Sequence, residues 1–331
     1  MRMAGMEPGR GWQKTIEKVK SGVAEGTVGK LQDSLIESIL CGDKFTKLYP
    51  LDDKGRIDMH LWMSSLNCSD SLSARIFPLL LDEGQLATAD GAFSVLSTQS
   101  NEDGIGVILS SIFNMKVREE IDFEEFENSA EMRSKFDEVV GFKYRRVQLH
   151  HVIWVPHLRQ QLEIRVDAPK GMPEDAIHAH HSHLKRMIAD ANVLTLGNSH
   201  NLFPAVRAFY DDGEEGDVTE ITFATTTSAI KHEKIIRRPS SRLDQRLETY
   251  HQGGKTALQT DIRIYRLSVE WPKSEDNLSF APTLTLAASG PAGRAGSPDP
   301  TISGALIGNC VRAADYEFVV ERLGLKSGLA A

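Results

Sequence analysis

The sequence predicts an α+β protein: a helical and mixed N-terminal domain, followed by a mostly antiparallel sheet domain with packed helices and a C-terminal helix. Three observations predict it. Residues 11–45 repeat apolar side chains at helical spacing, with Trp12, Ile16, Val19 and Val23 followed by Leu31, Leu35 and Ile39. From residue 147 the period falls to two. Val147, Leu149, His151, Ile153 and Val155 alternate with their neighbours, and after Pro156–His157 so do Leu158, Gln160, Leu162, Ile164 and Val166. Two such runs with a short join form an antiparallel hairpin. Helical spacing returns at Val311–Leu323. Strands grouped with strands, rather than alternating one by one with helices, define α+β.

The elements follow in order. Gly26 and Thr27 separate two N-terminal helices, and Gly42 with Asp43 stops the second. Residues 56–63 alternate, with Ile57, Met59, Leu61 and Met63 on one side, which predicts a half-buried strand. Ile76–Leu81, broken by Pro78, predicts an edge strand. A further strand is expected at Ala92–Leu96, a loop at Thr98–Gly104 and a short helix at Ile105–Met115. Asp122 with Glu125 three residues on has the form of a capping box, so a helix is predicted from Asp122 to Val140, closed by Gly141. The domain boundary is placed there, giving domains 1–141 and 142–288. Helices are then expected at Glu174–Asn192 and Ala205–Tyr210. Ile221 and Phe223 mark a strand whose partner runs over 230–237. A helix capped by Ser241 would carry the stripe Leu243, Leu247 and Tyr250. The strand at 262–271 changes phase, which predicts a bulge, and a last strand covers 278–286. Residues 289–304 read as a flexible Pro, Gly and Ser linker, and 305–331 as a helical tail closed by Gly324.

Composition narrows the function classes. The chain has 331 residues and a net charge of −8, from 38 basic and 46 acidic side chains. A nucleic-acid contact must therefore come from a local patch rather than the overall field. Three dispersed cysteines, Cys41, Cys68 and Cys310, form no disulfide framework. No apolar run reaches the roughly 18 residues of a membrane span, and the N-terminus lacks the apolar core of a secretion signal. The expectation is a cytoplasmic protein with no membrane partner.

Four groups of residues carry candidate chemistry. His178, His180, His181 and His183 fall in one helical segment, with His150 and His151 on the long strand. Pairs three residues apart on a helix could share a metal, although no carboxylate sits between them as in zinc hydrolase helices. Gly253, Gly254, Lys255 and Thr256 resemble the end of a phosphate loop. They close a helix instead of opening one, and Thr249 stands where the first glycine belongs, so nucleotide hydrolysis is rejected. Glu163, Arg165 and Asp167 approximate a nuclease strand, with an arginine that cannot act as the usual lysine and an alternation that predicts a solvent face. The fourth group is basic. Residues 231–246 hold Lys231, Lys234, Arg237, Arg238, Arg242 and Arg246 against Glu233 and Asp244. With Ser241 capping a helix start, these side chains could hold a phosphate. The acidic turn Asp211–Glu220 just before them could neutralise them instead.

The sequence thus reads as a non-catalytic binding or assembly subunit. It would contact a phosphate-bearing partner, nucleic acid foremost, through Lys231, Lys234, Arg237, Arg238, Ser241, Arg242 and Arg246. One alternative is a metal-assisted nuclease or other hydrolase built on the histidines. Another is a purely protein-binding component of a larger complex, with a protein partner or homo-oligomer assembled through the tail or the charged strips. No cofactor is expected.

Overall fold

A computed structural model describes residues 27–225, 229–236, 244–258, 261–275, 278–288 and 300–329, together with residues 13, 14, 16 and 17. The described helices are α1 (Thr27–Cys41), α2 (Asp53–Ser65), α3 (Leu72–Ile76), α4 (Glu83–Thr88), α5 (Ser129–Lys135), α6 (Glu174–Asp190), α7 (Phe203–Asp211), α8 (Thr249–Ala257) and α9 (Ala313–Ser327). The strands are β1 (Lys44–Pro50), β2 (Ser94–Ser100), β3 (Gly104–Glu120), β4 (Val140–Pro156), β5 (Gln161–Asp167), β6 (Asp217–Ala224), β7 (Ile230–Lys234), β8 (Arg263–Glu270), β9 (Lys273–Glu275), β10 (Leu278–Phe280), β11 (Thr283–Ala287) and β12 (Ala305–Gly308).

Ten strands form one antiparallel sheet in the order β2-β3-β4-β5-β1-β12-β11-β8-β6-β7, and β9 with β10 makes a separate hairpin. The protein is α+β, with a large antiparallel sheet and a C-terminal helix. The boundary expected between 141 and 142 falls inside β4, which pairs with β3 along its whole length. Strands from both sides of it, and β12 from the expected tail, share one sheet.

Both faces of the central strands are covered, because successive residues point to opposite sides. Val107 and Leu109 join Met59, Met63, Leu184 and Ile188 under α2 and α6. Ile108 faces the other way, into a cluster with Leu40, Leu96, Val152 and Trp154. The third cluster holds Val206 and Phe209 of α7 and Tyr316, Val319, Val320 and Leu323 of α9 against Ile221, Leu267, Leu284 and Ile307. Each such side chain taken from water stabilises by roughly 1.5–3 kcal/mol.

Several elements differ from the sequence reading. Ile105–Met115 belongs to a strand. Its middle is buried on both faces, so it reads as an unbroken apolar run rather than an alternating one. Residues 56–63 are helical: Asp52 caps α2 by accepting from the Gly55 N–H, Met59 and Met63 are its buried pair, and Ile57 and Leu61 are exposed. Ile76–Leu81 holds the end of α3 and a turn rather than an edge strand. Asp122 caps only a 3-10 turn at Phe123–Glu125, with α5 following. The last strand divides into β10 and β11. Within the expected linker, 289–299 lie outside the described residues, while Ile302 is buried. The tail helix passes through Gly324 and ends at Gly328, whose φ of 70° is the left-handed cap conformation. It docks on the body. Its Tyr316 hydroxyl bonds Thr46, Glu317 accepts from Arg165 at 2.7 Å, and Lys326 reaches Asp212 at 2.6 Å. The β4–β5 hairpin, the helices α6 and α7, the β6–β7 pair and the irregular β8 register are present as expected, except that β5 starts at Gln161 rather than Leu158 and β7 ends at Lys234. Among the described residues, no helix is long and apolar enough to cross a membrane.

Candidate nucleic-acid interface

The basic stretch begins on β7, the last strand of the sheet. Its register against β6 sets which side chains share a face: Lys234 opposite Glu220 and His232 opposite Thr222 lie on one, and Lys231 opposite Phe223 lies on the other. Glu233 points the same way as Lys231, to the α8 side, where it takes hydrogen bonds from Gln245 at 2.9 Å and pairs with His251 Nδ1 at 2.6 Å. Those bonds anchor β7 to the body and leave Lys231, His232 and Lys234 exposed beside Ile230 and Ile236.

One carboxylate serves several basic groups on the Lys234 face. Glu220 accepts from Lys234 at 2.8 Å and Arg266 at 2.7 Å, and lies 3.1 Å from His232. Burial alone would raise the Glu220 pKa, but these partners overcome it and lower it to about 2. Much of the acidic turn is committed elsewhere. Asp211 holds Arg207, Asp212 holds Lys326, and Glu215 holds Arg322 and accepts from the Trp271 indole at 3.1 Å.

Arg246 stands apart from the other predicted cations. Its side chain is 9% exposed, and its fork donates to both Asp244 oxygens, to Phe209 and Asp212 carbonyls and to Gly216 O at 2.6 Å. It fastens the acidic turn to the chain before α8 and has no free edge for a phosphate. Arg237, Arg238, Ser241 and Arg242 lie outside the described residues. Among the described residues that follow, Asp244 caps a 3-10 turn at Gln245–Leu247 by accepting from the Arg246 N–H, and Glu248 caps α8 by accepting from the His251 N–H. Leu247 and Tyr250 are exposed, so the expected apolar stripe is absent there.

Three histidines gather around the Phe93 ring, His151 from β4 and His180 and His183 from α6, with the His151 and His180 ring centres 5.2 Å apart, while His178 and His181 are engaged elsewhere. His178 sits against Glu174 and the edge of Phe45, and His180 Nδ1 bonds Ala176 O at 2.8 Å. His181 is buried against the Tyr49 hydroxyl at 3.3 Å, while His183 stacks on Phe93. Among the described residues, no group of three or more His, Cys, Asp or Glu side chains is placed to hold a metal ion. The sequence missed one juxtaposition, Ser111 Oγ with His151 Nε2 at 2.9 Å. His151 Nδ1 accepts the Asp167 N–H at 3.2 Å, so Nε2 carries the proton and donates to Ser111. This imidazole cannot take the serine proton, which removes it as a nucleophile's base.

Glu163, Arg165 and Asp167 are not on a solvent face. Every residue of β5 before Asp167 is buried. Glu163 takes the Arg165 fork at 2.7 and 3.0 Å, and Arg165 also holds Glu317 of α9. Asp167 accepts from Lys44 Nζ at 2.6 Å. These charges tie β5 to β1 and the C-terminal helix. Compared with known proteins, the chain matches no family model and no curated protein.

Proposed function

We propose that the protein is a non-catalytic binding subunit that contacts nucleic acid through the basic strip at the β7 edge of its sheet. The observation that carries this reading is the shortage of acid on the β7 face, where, among the described residues, Glu220 receives Lys234, Arg266 and His232 together. Lys231 and Lys234 project from an edge strand, and sequence neighbours Arg237, Arg238 and Arg242 add three cations. Phosphates recruited by such a strip release counterions, which gives an acidic protein a local affinity for nucleic acid. Arg246 has no part in the contact, because its donors are engaged within the chain. A cytoplasmic location belongs to the same proposal.

The test is a titration of fluorescently labelled single-stranded oligonucleotide against wild type and the double variant Arg238→Glu, Arg242→Glu. Binding drops at least tenfold in the variant while its thermal midpoint holds. Equal affinities, with the wild-type salt dependence intact, overturn the reading.

A further inference from the structure

β3 and β4 outrun the rest of the sheet. β2 pairs with β3 only up to Ser110, and β5 pairs with β4 only at Val152–Trp154, yet β3 and β4 stay paired out to Glu120 and Val140. Residues 115–120 and 140–145 therefore form a two-stranded ribbon, roughly 20 Å long at about 3.4 Å per residue. Its two faces differ. Phe113, Met115 and Val117 lie half-buried on one. The other bears Lys116 opposite Tyr144 and Arg118 opposite Phe142, all four exposed. Phe142 is 63% and Tyr144 72% exposed, and the Lys116 ammonium lies 4.3 Å from the Phe142 ring centre.

A ribbon of two strands is marginal alone, and the exposed aromatics on it leave ring faces in water that a partner would cover. The chemistry of this face selects the partner. Phe142 and Tyr144, two residues apart on one strand, have Cα atoms about 6.8 Å apart, both side chains are largely exposed, and a cation lies across from each. Aromatic platforms beside cations hold single-stranded nucleic acid by base stacking and phosphate pairing. We infer that the Lys116–Arg118–Phe142–Tyr144 face of the β3–β4 ribbon is a second nucleic-acid contact, one that stacks bases of a single strand. It rests on the reading that the partner is nucleic acid, but not on the β7 strip.

Electrostatics limit where the strand crosses. The ribbon's tip, 121–139, has seven carboxylates against Arg133 and Lys135, so it repels phosphate and confines contact to the stem. Glu138 of that tip pairs with Arg118 at 2.7 Å and competes with an incoming phosphate.

The experiment compares two labelled oligonucleotides of about twenty units, oligothymidylate and an abasic strand with the same phosphates. Wild type prefers the strand with bases. Phe142→Ala with Tyr144→Ala loses that preference, by roughly tenfold or more, and binds the abasic strand as wild type does. Glu138→Gln strengthens binding of both strands. A double alanine variant that keeps the preference overturns the inference. So does one that binds normally but changes mass in solution, because the face is then a protein interface. If Lys231→Ala with Lys234→Ala weakens binding while the aromatic variant does not, the ribbon inference alone fails. If wild type binds neither strand, both readings fail together.

Discussion

His150 and His181 are buried bases kept neutral by their surroundings. Burial, then the nearby Lys44, lowers His150 to about 4, and burial, then Lys47, His178 and Lys185, lowers His181 to about 3. His151 is lowered well below its ordinary value, chiefly by burial. Between the unperturbed value of about 6.5 and those folded-state values, the unfolded chain takes up protons that the native chain refuses. Stability is therefore full above pH ~6.5 and falls as pH drops through this window, by on the order of 3 kcal/mol for His150 or His181 taken singly. Chemical denaturation from pH 7 to 4 checks this: His181→Gln should flatten the slope, and an unchanged slope would speak against it. Arg165 gives the companion case. Its replacement by Met leaves buried Glu163 with only Gln161 at 2.8 Å and Arg159 at 3.3 Å, and should cost roughly 3 kcal/mol. A loss below 1 kcal/mol would mean that Arg159 and Gln161 suffice to hold the Glu163 charge. At this scale the sequence shows charge but not commitment. Arg246 counts as one more cation in a basic run until Asp244 and three carbonyls are seen to use its donors.

At the scale of elements, legibility depends on burial. β4 through β5 and α6 each have one clear period, and the structure keeps them. β3 lacks alternation because Val107, Ile108 and Leu109 are all covered, so it reads as a helix. α2 has a false alternation because two exposed residues, Ile57 and Leu61, each stand two positions before a buried methionine. The same close cover explains two glycines of β3. A Cβ at Gly106 would lie 2.4 Å from the Trp154 ring and 2.6 Å from the Ile153 carbonyl, and one at Gly104 would lie 2.5 Å from the Val155 carbonyl. Gly106→Val should cost about 1–3 kcal/mol or more by overpacking, read as a lower thermal midpoint. A midpoint equal to wild type would show that Trp154 can move aside. The ribbon is hidden differently. Phe142 and Tyr144 alternate visibly with Lys143 and Arg145, but the capping-box pattern at Asp122 predicts a helix through Val140 that cuts the segment in two.

Across the whole molecule, the sheet joins segments that local patterns assign to separate domains. β12 sits between β1 and β11, and α9 closes the core over both. A chain whose N-terminal and C-terminal strands are neighbours cannot be divided by local signals, because the pairing is long-range. The charged features follow the same geography. β7 ends the sheet on one side, and the ribbon grows from β3 and β4 near the other edge. Lysines on an open edge also discourage strand pairing between copies, so mass in solution accompanies every binding assay.

The central claim is a phosphate contact at the β7 strip, and its most direct measurement is the salt dependence of single-stranded oligonucleotide binding. Affinity is titrated from about 50 to 200 mM salt for wild type and for Lys231→Ala with Lys234→Ala. A steep log–log slope is expected for wild type, reduced by roughly 0.7 for each phosphate that the variant no longer neutralises. Identical slopes for the two proteins would contradict it.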